Sequence, residues 1–115
     1  MKLPTKRLPA RFYRSDSGRE PVREWLKELE LEDRKTIGED IKDVEFAWPG
    51  MPLVRSLGDE LWEVRSRLPR GRIARVIFCV EQGCMVLLHG FMKKTQKTPQ
   101  GDIDLALKRK KGTRS

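Results

Sequence analysis

Apolar and polar residues follow a helical period in the first half of the chain. Apolar positions recur at intervals of three and four from Val22 to Leu29 and again from Ile37 to Trp48, with charged residues between them. This spacing predicts two helices that each bury one face. Pro21 suits the first helical turn, where its missing N–H is not needed, and the segment 49–52, rich in Pro and Gly, ends the second helix.

After residue 52 the period changes from 3.6 to 2, which predicts strands. In the segment 61–68, Trp62 and Val64 lie on the face expected to be buried, while Glu63, Arg65 and Arg67 lie on the other. Turn residues separate the candidate strands. Strands are predicted at 11–14, 53–57, 61–68 and 72–81, and from Cys84 onward.

The order of these elements predicts a small α+β fold in a single domain, residues 1–115. It is an antiparallel sheet with an N-terminal strand, a helical hairpin packed on one face, and a short C-terminal helix or tail. Residues 1–10 are expected to form a loose basic arm, and residues 108–115 a basic tail. A chain of 115 residues can bury one modest core.

The charge balance is strongly basic. Lys and Arg number 25 against 17 Asp and Glu, which gives a formal net charge of +8. Such an excess favours a polyanionic partner. The basic excess lies outside the helical part, because residues 19–47 carry more acidic than basic side chains.

Sequence features of membrane, metal and cofactor proteins are missing. Cys79 and Cys84 flank a predicted turn, and two thiols in a reducing compartment are favoured over a disulfide across the hairpin. No run of about eighteen apolar residues is present, and the N-terminal residues lack the apolar core of a signal peptide. Motifs for metal, nucleotide or Ser/His/Asp chemistry are also absent. We therefore expect a cytoplasmic protein without membrane attachment, metal or cofactor.

Two arginines are the centre of the expected chemistry. A hairpin that turns symmetrically about Arg70 brings Arg65 opposite Arg75, on the exposed face away from Trp62. Like charges side by side repel, so a pair without a carboxylate between them indicates a bound anion. Arginine suits phosphate because its planar fork binds two oxygens and keeps its proton.

The last strand extends this row in one of two registers. A three-residue turn with Gly83 in the left-handed region places His89 beside Arg75, whereas a two-residue turn places Gly90 there. His89 has two interpretations. It is a general acid or base, since imidazole exchanges protons near neutral pH, or it is a hydrogen-bonded core residue. Gly90 itself indicates a bulge or the close approach of another backbone.

The remaining candidates each have two interpretations. Lys93 and Lys94 leave the last strand either as phosphate ligands or as part of a solvated loop. Arg67 and Arg72 crowd the hairpin tip, where they contact phosphates or are merely solvated. Phe91 stacks on a base or packs inward.

Three segments of the chain resemble one known family. They are LWEVR at 61–65, the strand that carries Arg75, and LLHGFMKKTQKTP at 87–99. With the order of elements, they are similar to the RelE/ParE superfamily of toxins from type II toxin–antitoxin systems, and they closely resemble its phage-related HigB-like branch. The resemblance spans roughly Phe12 to Arg109. It implies a RelE-like fold and a toxin that cleaves mRNA without a metal, typically on the ribosome.

The resemblance implies roles only where motif positions match. Arg65 and Arg75 match basic residues that hold the scissile phosphate, and Lys93 and Lys94 match a basic pair after the last strand. Ala74 stands where many relatives carry an aromatic residue, which implies weaker or different substrate selection. The Tyr-bearing final helix of RelE is missing as well, so another group, such as the imidazole or a lysine, must transfer protons.

The leading hypothesis is therefore a metal-independent mRNA endonuclease that acts on the translating ribosome. A ParE-type gyrase inhibitor and an RNA-binding module without chemistry are the alternatives. The resemblance implies mRNA, the ribosome and a small helix-turn-helix antitoxin of the HigA-like kind as partners. The candidate residues are Arg65, Arg75, His89, Lys93 and Lys94 for catalysis, and Arg67, Arg72, Phe91 and Lys97 for RNA binding.

Overall fold

The structure, a computed structural model, describes residues 5–49, 53–93 and 97–113, with Lys93 described by its backbone. The strands are β1 (Ala10–Phe12), β2 (Val54–Gly58), β3 (Leu61–Arg67), β4 (Ile73–Glu81) and β5 (Cys84–Lys93). The helices are α1 (Pro21–Glu28), α2 (Leu31–Ala47) and α3 (Gln100–Thr113), and a single 3₁₀ turn, Pro69–Gly71, joins β3 to β4. The predicted α+β class, the helical hairpin and the N-terminal strand are confirmed.

The five strands form one mixed sheet in the order β1-β5-β4-β3-β2. The pairs among β2, β3, β4 and β5 are antiparallel, but β1 runs parallel to β5, with Ala10 opposite Met85 and Phe12 opposite Leu87. The predicted antiparallel pairing therefore holds among β2, β3, β4 and β5, whereas the N-terminal strand β1 departs from it. No tight turn links β1 to β5, because both helices and three strands lie between them in the chain, so no hairpin imposes antiparallel pairing.

The helices α1 and α2 cover one face of the sheet, as predicted. Apolar side chains of both helices meet those of β3, β4 and β5 in one buried cluster. Trp48 at the end of α2 packs edge-on against Trp62 and Phe78, with ring centroids 5.2 and 5.5 Å away. Edge-to-face rings at this separation add to the stability that burial provides. The Trp62 side of β3 is thus the core side that its alternation predicts.

The helix α3 covers part of the opposite face, which gives the domain a third layer. A second apolar cluster joins Leu61, Ile77 and Leu88 of the sheet to Ala106 of α3. Arg109 donates to the carbonyl oxygen of Leu88 at 2.8 Å. This face was expected to be open, and that expectation was wrong for the part beneath α3.

The predicted basic tail is helical as far as the structure describes it. Lys108 to Lys111 lie within α3, and the Nζ of Lys110 is 2.6 Å from the carbonyl oxygen of Asp59. Residues 114–115 lie outside the described residues. The prediction of a tail failed because a run of basic side chains does not indicate a helix, and the apolar side of this helix packs on the sheet.

The predicted N-terminal arm is attached to the domain from Arg7 onward. The backbone N–H groups of Arg7 and Leu8 donate to the carbonyl oxygen of Glu45 at 2.8 and 3.0 Å, and Leu8 is buried. The Glu45 carboxylate accepts a further bond from the N–H of Ala10 at 2.7 Å. The arm is therefore not loose here, because these donors have partners in α2; residues 1–4 lie outside the described residues.

No disulfide joins Cys79 and Cys84, which agrees with the prediction of two thiols. Among the helices of the described residues, none has the length and apolar character needed to span a membrane.

Candidate functional site

The first hairpin has the register that its turn predicts. Arg65 pairs with Arg75 across β3 and β4, because Arg70 and Gly71 at the tip both have positive φ, 64° and 70°. The two arginines thus lie side by side on the face away from Trp62. Their exposure differs from the prediction, however, because the Arg65 side chain is 29% exposed and Arg75 is fully buried.

The second hairpin places neither predicted residue beside Arg75. Gln82 and Gly83 form a two-residue turn with positive φ, 51° and 74°, which fits the twist of paired strands. A bulge near Ile77 then shifts the register by one more residue, so Phe91 pairs with Arg75. Both predicted registers were wrong at this position, since neither included the extra bulge residue.

Gly90 allows the close approach of a side chain rather than a backbone. A Cβ built on Gly90 would lie only 2.4 Å from the Cε3 of Trp25 on α1. The glycine therefore lets the indole ring of α1 lie directly on β5.

His89 lies under α3 and not in the row of arginines. It pairs with Ile77, and its Nε2 is 2.7 Å from the Oδ1 of Asp102 on α3. The imidazole also stacks on Phe91 with ring centroids 5.1 Å apart. These contacts fit the hydrogen-bonded core interpretation of His89 and the inward interpretation of Phe91, which is only 8% exposed.

A buried carboxylate lies among the arginines. Glu63 is fully buried two residues before Arg65, on the same face of β3. Its Oε1 is 3.7 Å from the Nε of Arg65, and its Oε2 accepts a short hydrogen bond from the hydroxyl of Thr98. Thr98 in turn accepts a hydrogen bond from the Nη1 of Arg75 at 3.3 Å. The expectation that no carboxylate separates the arginines was therefore wrong.

The electrostatic state of Arg75 follows from this burial. Desolvation lowers the pKa of the Arg75 guanidinium, the Glu63 carboxylate opposes that shift, and the charges of Arg65 and Arg55 add to it. A guanidinium still keeps its proton at neutral pH. Arg75 is therefore a buried cation whose charge is balanced chiefly by Glu63 from within the protein.

An open cleft of about 760 Å³ lies beside this buried group. Arginines from β2, β3 and the hairpin tip converge on it over an apolar floor. The lining residues are Leu53, Val54, Arg55, Arg65, Arg67, Leu68, Gly71, Arg72 and Ile73. Sequence reasoning missed Arg55, which pairs with Glu63 across β2 and β3, where the register shifts between Ser56 and Gly58.

Arg72 lines the cleft and is bound to Asp33 of α2. Its Nη1 and Nη2 donate to the two carboxylate oxygens of Asp33 at 2.6 and 3.1 Å, and Asp33 is only 3% exposed. The Nε of Arg72 also donates to the carbonyl oxygen of Pro69 at 3.1 Å. These bonds direct Arg72 toward α2, so Arg55, Arg65 and Arg67 supply the cationic groups most open to a ligand.

The lysine candidates lie at the edge of the cleft or outside the described residues. The backbone of Lys93 pairs with Ile73, a lining residue, so β5 ends beside the cleft. Lys94 lies outside the described residues. Lys97 is exposed next to Thr98.

This arrangement suits the binding of phosphate. Five guanidinium groups, those of residues 55, 65, 67, 72 and 75, face two carboxylates, Glu63 and Asp33, which leaves an excess of positive charge around the cleft. Such a cleft attracts polyanions and can stabilise charge on phosphate oxygens. Within the described ranges, no cluster of three His, Cys, Asp or Glu side chains is placed to hold a metal.

The fold and the cleft define a small α+β domain with a basic cleft at the open end of a mixed sheet. The model of the phage-derived Gp49-like protein family (DUF891) matches residues 24–111. The chain therefore belongs to this family, which is toxin-like and related to RelE/ParE. No curated protein and no solved structure matches the chain.

Proposed function

We propose that this chain is the toxin of a type II toxin–antitoxin system, of the HigB-like branch, and a metal-independent endonuclease of mRNA on the translating ribosome. The observation that carries this proposal is the cleft in which Arg55, Arg65 and Arg67 converge on an open apolar floor. Membership of the Gp49-like family supports the toxin role.

In the proposed reaction, the arginines of the cleft bind the scissile phosphodiester. The neighbouring 2′-hydroxyl oxygen bonds to phosphorus and loses its proton, while the bond to the 5′-oxygen breaks and that oxygen gains a proton. Arg65 is the best placed phosphate ligand, because it lines the cleft from β3, beside the central strand β4. Guanidinium groups stabilise the charge that develops on the phosphate oxygens. Arg75 acts from beneath, as a positioning residue.

Proton transfer is assigned to Lys93 and Lys94. His89 is engaged by Asp102 under α3 and does not line the cleft. The backbone of β5 ends with Lys93 at the cleft edge, which supports its amine as the general base.

Mapping mRNA 5′ ends after incubation of the chain with translating ribosomes tests the proposal. We expect wild type to cleave mRNA and Arg65→Ala to lose at least about 100-fold in rate, as when a transition-state donor is removed. Arg23→Ala is the matched control, since Arg23 lies on α1 and pairs with Glu20. Intact mRNA with wild type, or equal cleavage by Arg65→Ala, would overturn the proposal.

A ParE-type gyrase inhibitor is the second candidate, and the burial of Arg75 favours it. Because Glu63 and Thr98 balance this arginine internally, the arginine pair does not by itself require a nucleic acid. Gyrase-dependent DNA damage that persists in Arg65→Ala would support this alternative. RNA that is bound with a steep salt dependence yet never cleaved would instead indicate a binding module.

The proposed toxin requires an antitoxin, which we expect to be a small helix-turn-helix protein of the HigA-like kind in the same cytoplasm. Expression of the chain with and without the neighbouring reading frame tests this. Growth arrest that the neighbour relieves supports the pairing. Arrest that it leaves unchanged, or a pull-down that recovers no such protein, contradicts it.

A further inference from the structure

Glu63 is the buried centre of the arginine group. It is fully buried in the middle of β3, where strand alternation puts it on the same face as Arg65. Arg55 is its cross-strand partner on β2, and Arg75 is the cross-strand partner of Arg65. The carboxylate therefore has a guanidinium-bearing residue on each neighbouring strand and one on its own.

The two oxygens of Glu63 have different neighbours. Oε2 accepts a hydrogen bond from Thr98, whose hydroxyl also receives the Nη1 of Arg75 at 3.3 Å. Oε1 faces the Nε of Arg65 at 3.7 Å. A buried carboxylate is retained at a cost that only charge partners and hydrogen bonds offset. One side chain thus couples the buried arginine to the arginine that lines the cleft.

We infer that Glu63 is a positioning residue that fixes the guanidinium plane of Arg65 at the cleft. This inference deepens the proposed function and rests on it. The carboxylate attracts the Nε edge of Arg65. Thr98 donates to the carboxylate directly and accepts in turn from Arg75. Glu63 touches no substrate, because it is fully buried beneath the cleft. Its effect reaches the phosphate only through Arg65.

Glu63→Gln tests this role because glutamine keeps the shape and the Thr98 contact while it removes the charge. Glu28→Gln is the matched control, since it removes the same charge from an exposed position at the end of α1. If the variant misorients Arg65, the rate of the chemical step falls. The loss of the negative charge of Glu63 does not weaken the binding of RNA, which is itself negatively charged. We expect mRNA cleavage on ribosomes to fall at least about tenfold, while affinity for a single-stranded RNA oligonucleotide does not fall.

Two results in the variant would overturn the inference. One is cleavage at the wild-type rate. The other is a proportional loss of cleavage and RNA affinity, as expected for a residue that only supports the fold. Glu28→Gln must behave as wild type in both assays, because a similar loss there would assign the effect to net charge.

A spectroscopic measurement separates failure of the inference from failure of the proposed function. The Nε–H signal of Arg65 in isotope-labelled protein is identified by its loss in Arg65→Lys. We expect Glu63→Gln to shift this signal and to speed its exchange with water. If wild type cleaves no mRNA, the proposed function fails, and an unchanged Arg65 signal would overturn the inference independently.

The charge that remains on Arg75 could prevent Glu63→Gln from folding. The double variant Glu63→Gln/Arg75→Met then removes both buried charges at once, and Arg75→Met alone is its reference. Replacing buried groups of opposite charge together, by neutral residues of similar volume, is often neutral for stability. The same shift of the Arg65 signal and the same split between cleavage and RNA affinity are expected, and their absence would overturn the inference.

Discussion

Replacing Gly90 by alanine should destabilise the domain through a single contact. A Cβ at this position would lie 2.4 Å from the Cε3 and 2.5 Å from the Cζ3 of Trp25. Non-bonded carbons attract each other best at about 3.5–4.0 Å, so the ring must move by about 1 Å or β5 must shift. Trp25 packs against the main buried cluster, which leaves the ring little room to retreat.

The expected loss of stability follows from this overlap. Extra methyl groups forced into a well-packed core cost about 1–3 kcal/mol. For a chain of 115 residues, each kcal/mol lowers Tm by roughly 3–6 °C, between the values for smaller and larger domains. We therefore expect Gly90→Ala to lower Tm by roughly 3–18 °C in thermal unfolding followed by circular dichroism.

Gly38→Ala is the matched control, because Gly38 lies in α2 with nothing within 4 Å of its built Cβ. Alanine there should raise stability by about 0.5–1 kcal/mol through helix propensity. In a Trp25→Leu background, Gly90→Ala should cost less by about 1 kcal/mol, since the clashing ring is gone. An unchanged or raised Tm for Gly90→Ala, or an equal cost in both backgrounds, would refute the reasoning.

Three further predictions concern charged groups. Hydrogen bonds from Arg72 lower the pKa of Asp33, so the stability that this pair gives the fold is present above the ordinary pKa of Asp33 and is lost as pH falls. The difference in Tm between wild type and Asp33→Asn should therefore narrow from about pH 5 toward pH 2, and a constant difference would contradict the pairing. Arg67→Gln should reduce the salt slope of RNA-oligonucleotide binding by about one, whereas Arg23→Gln should not; equal slopes would exclude Arg67 from the interface. Arg109→Met should lower the free energy of unfolding in urea by about 1–3 kcal/mol, because the hydrogen bond from its charged group to the carbonyl oxygen of Leu88 is removed. An unchanged urea midpoint would show that this bond contributes nothing.

Local patterns predicted most of the elements because each pattern reflects burial on one face. The apolar spacing from Val22 to Leu29 corresponds to α1, which spans Pro21–Glu28, and the alternation in 61–68 corresponds to β3. The turn at Arg70 also predicted the pairing of Arg65 with Arg75, since a short turn determines register. Local pattern could not predict the parallel pairing of β1 or the docking of α3, which depend on contacts far apart in the chain.

The candidate site was predicted in part. The signal for Glu63 was available, because the alternation that placed Arg65 on one face placed Glu63 there as well. The partner Thr98 had no such signal, since it reaches Glu63 across 35 positions of the chain. The position of the bulge near Ile77 also had no clear signal, and together with the two-residue turn at Gln82 and Gly83 it brings Phe91 opposite Arg75.

The pairing of Arg65 with Arg75 does not by itself indicate a bound ligand. Repulsion between Arg65 and Arg75 does require an anion, and the structure supplies one from within, because Glu63 lies fully buried beside them. The pair alone is therefore weak support for a phosphate site. The stronger support is the unequal balance around the cleft, where among the described residues the guanidinium groups, including the exposed Arg55 and Arg67, outnumber the two buried carboxylates Glu63 and Asp33. These outer arginines favour a ligand of opposite charge, and we propose that the inner pair determines where that ligand is held.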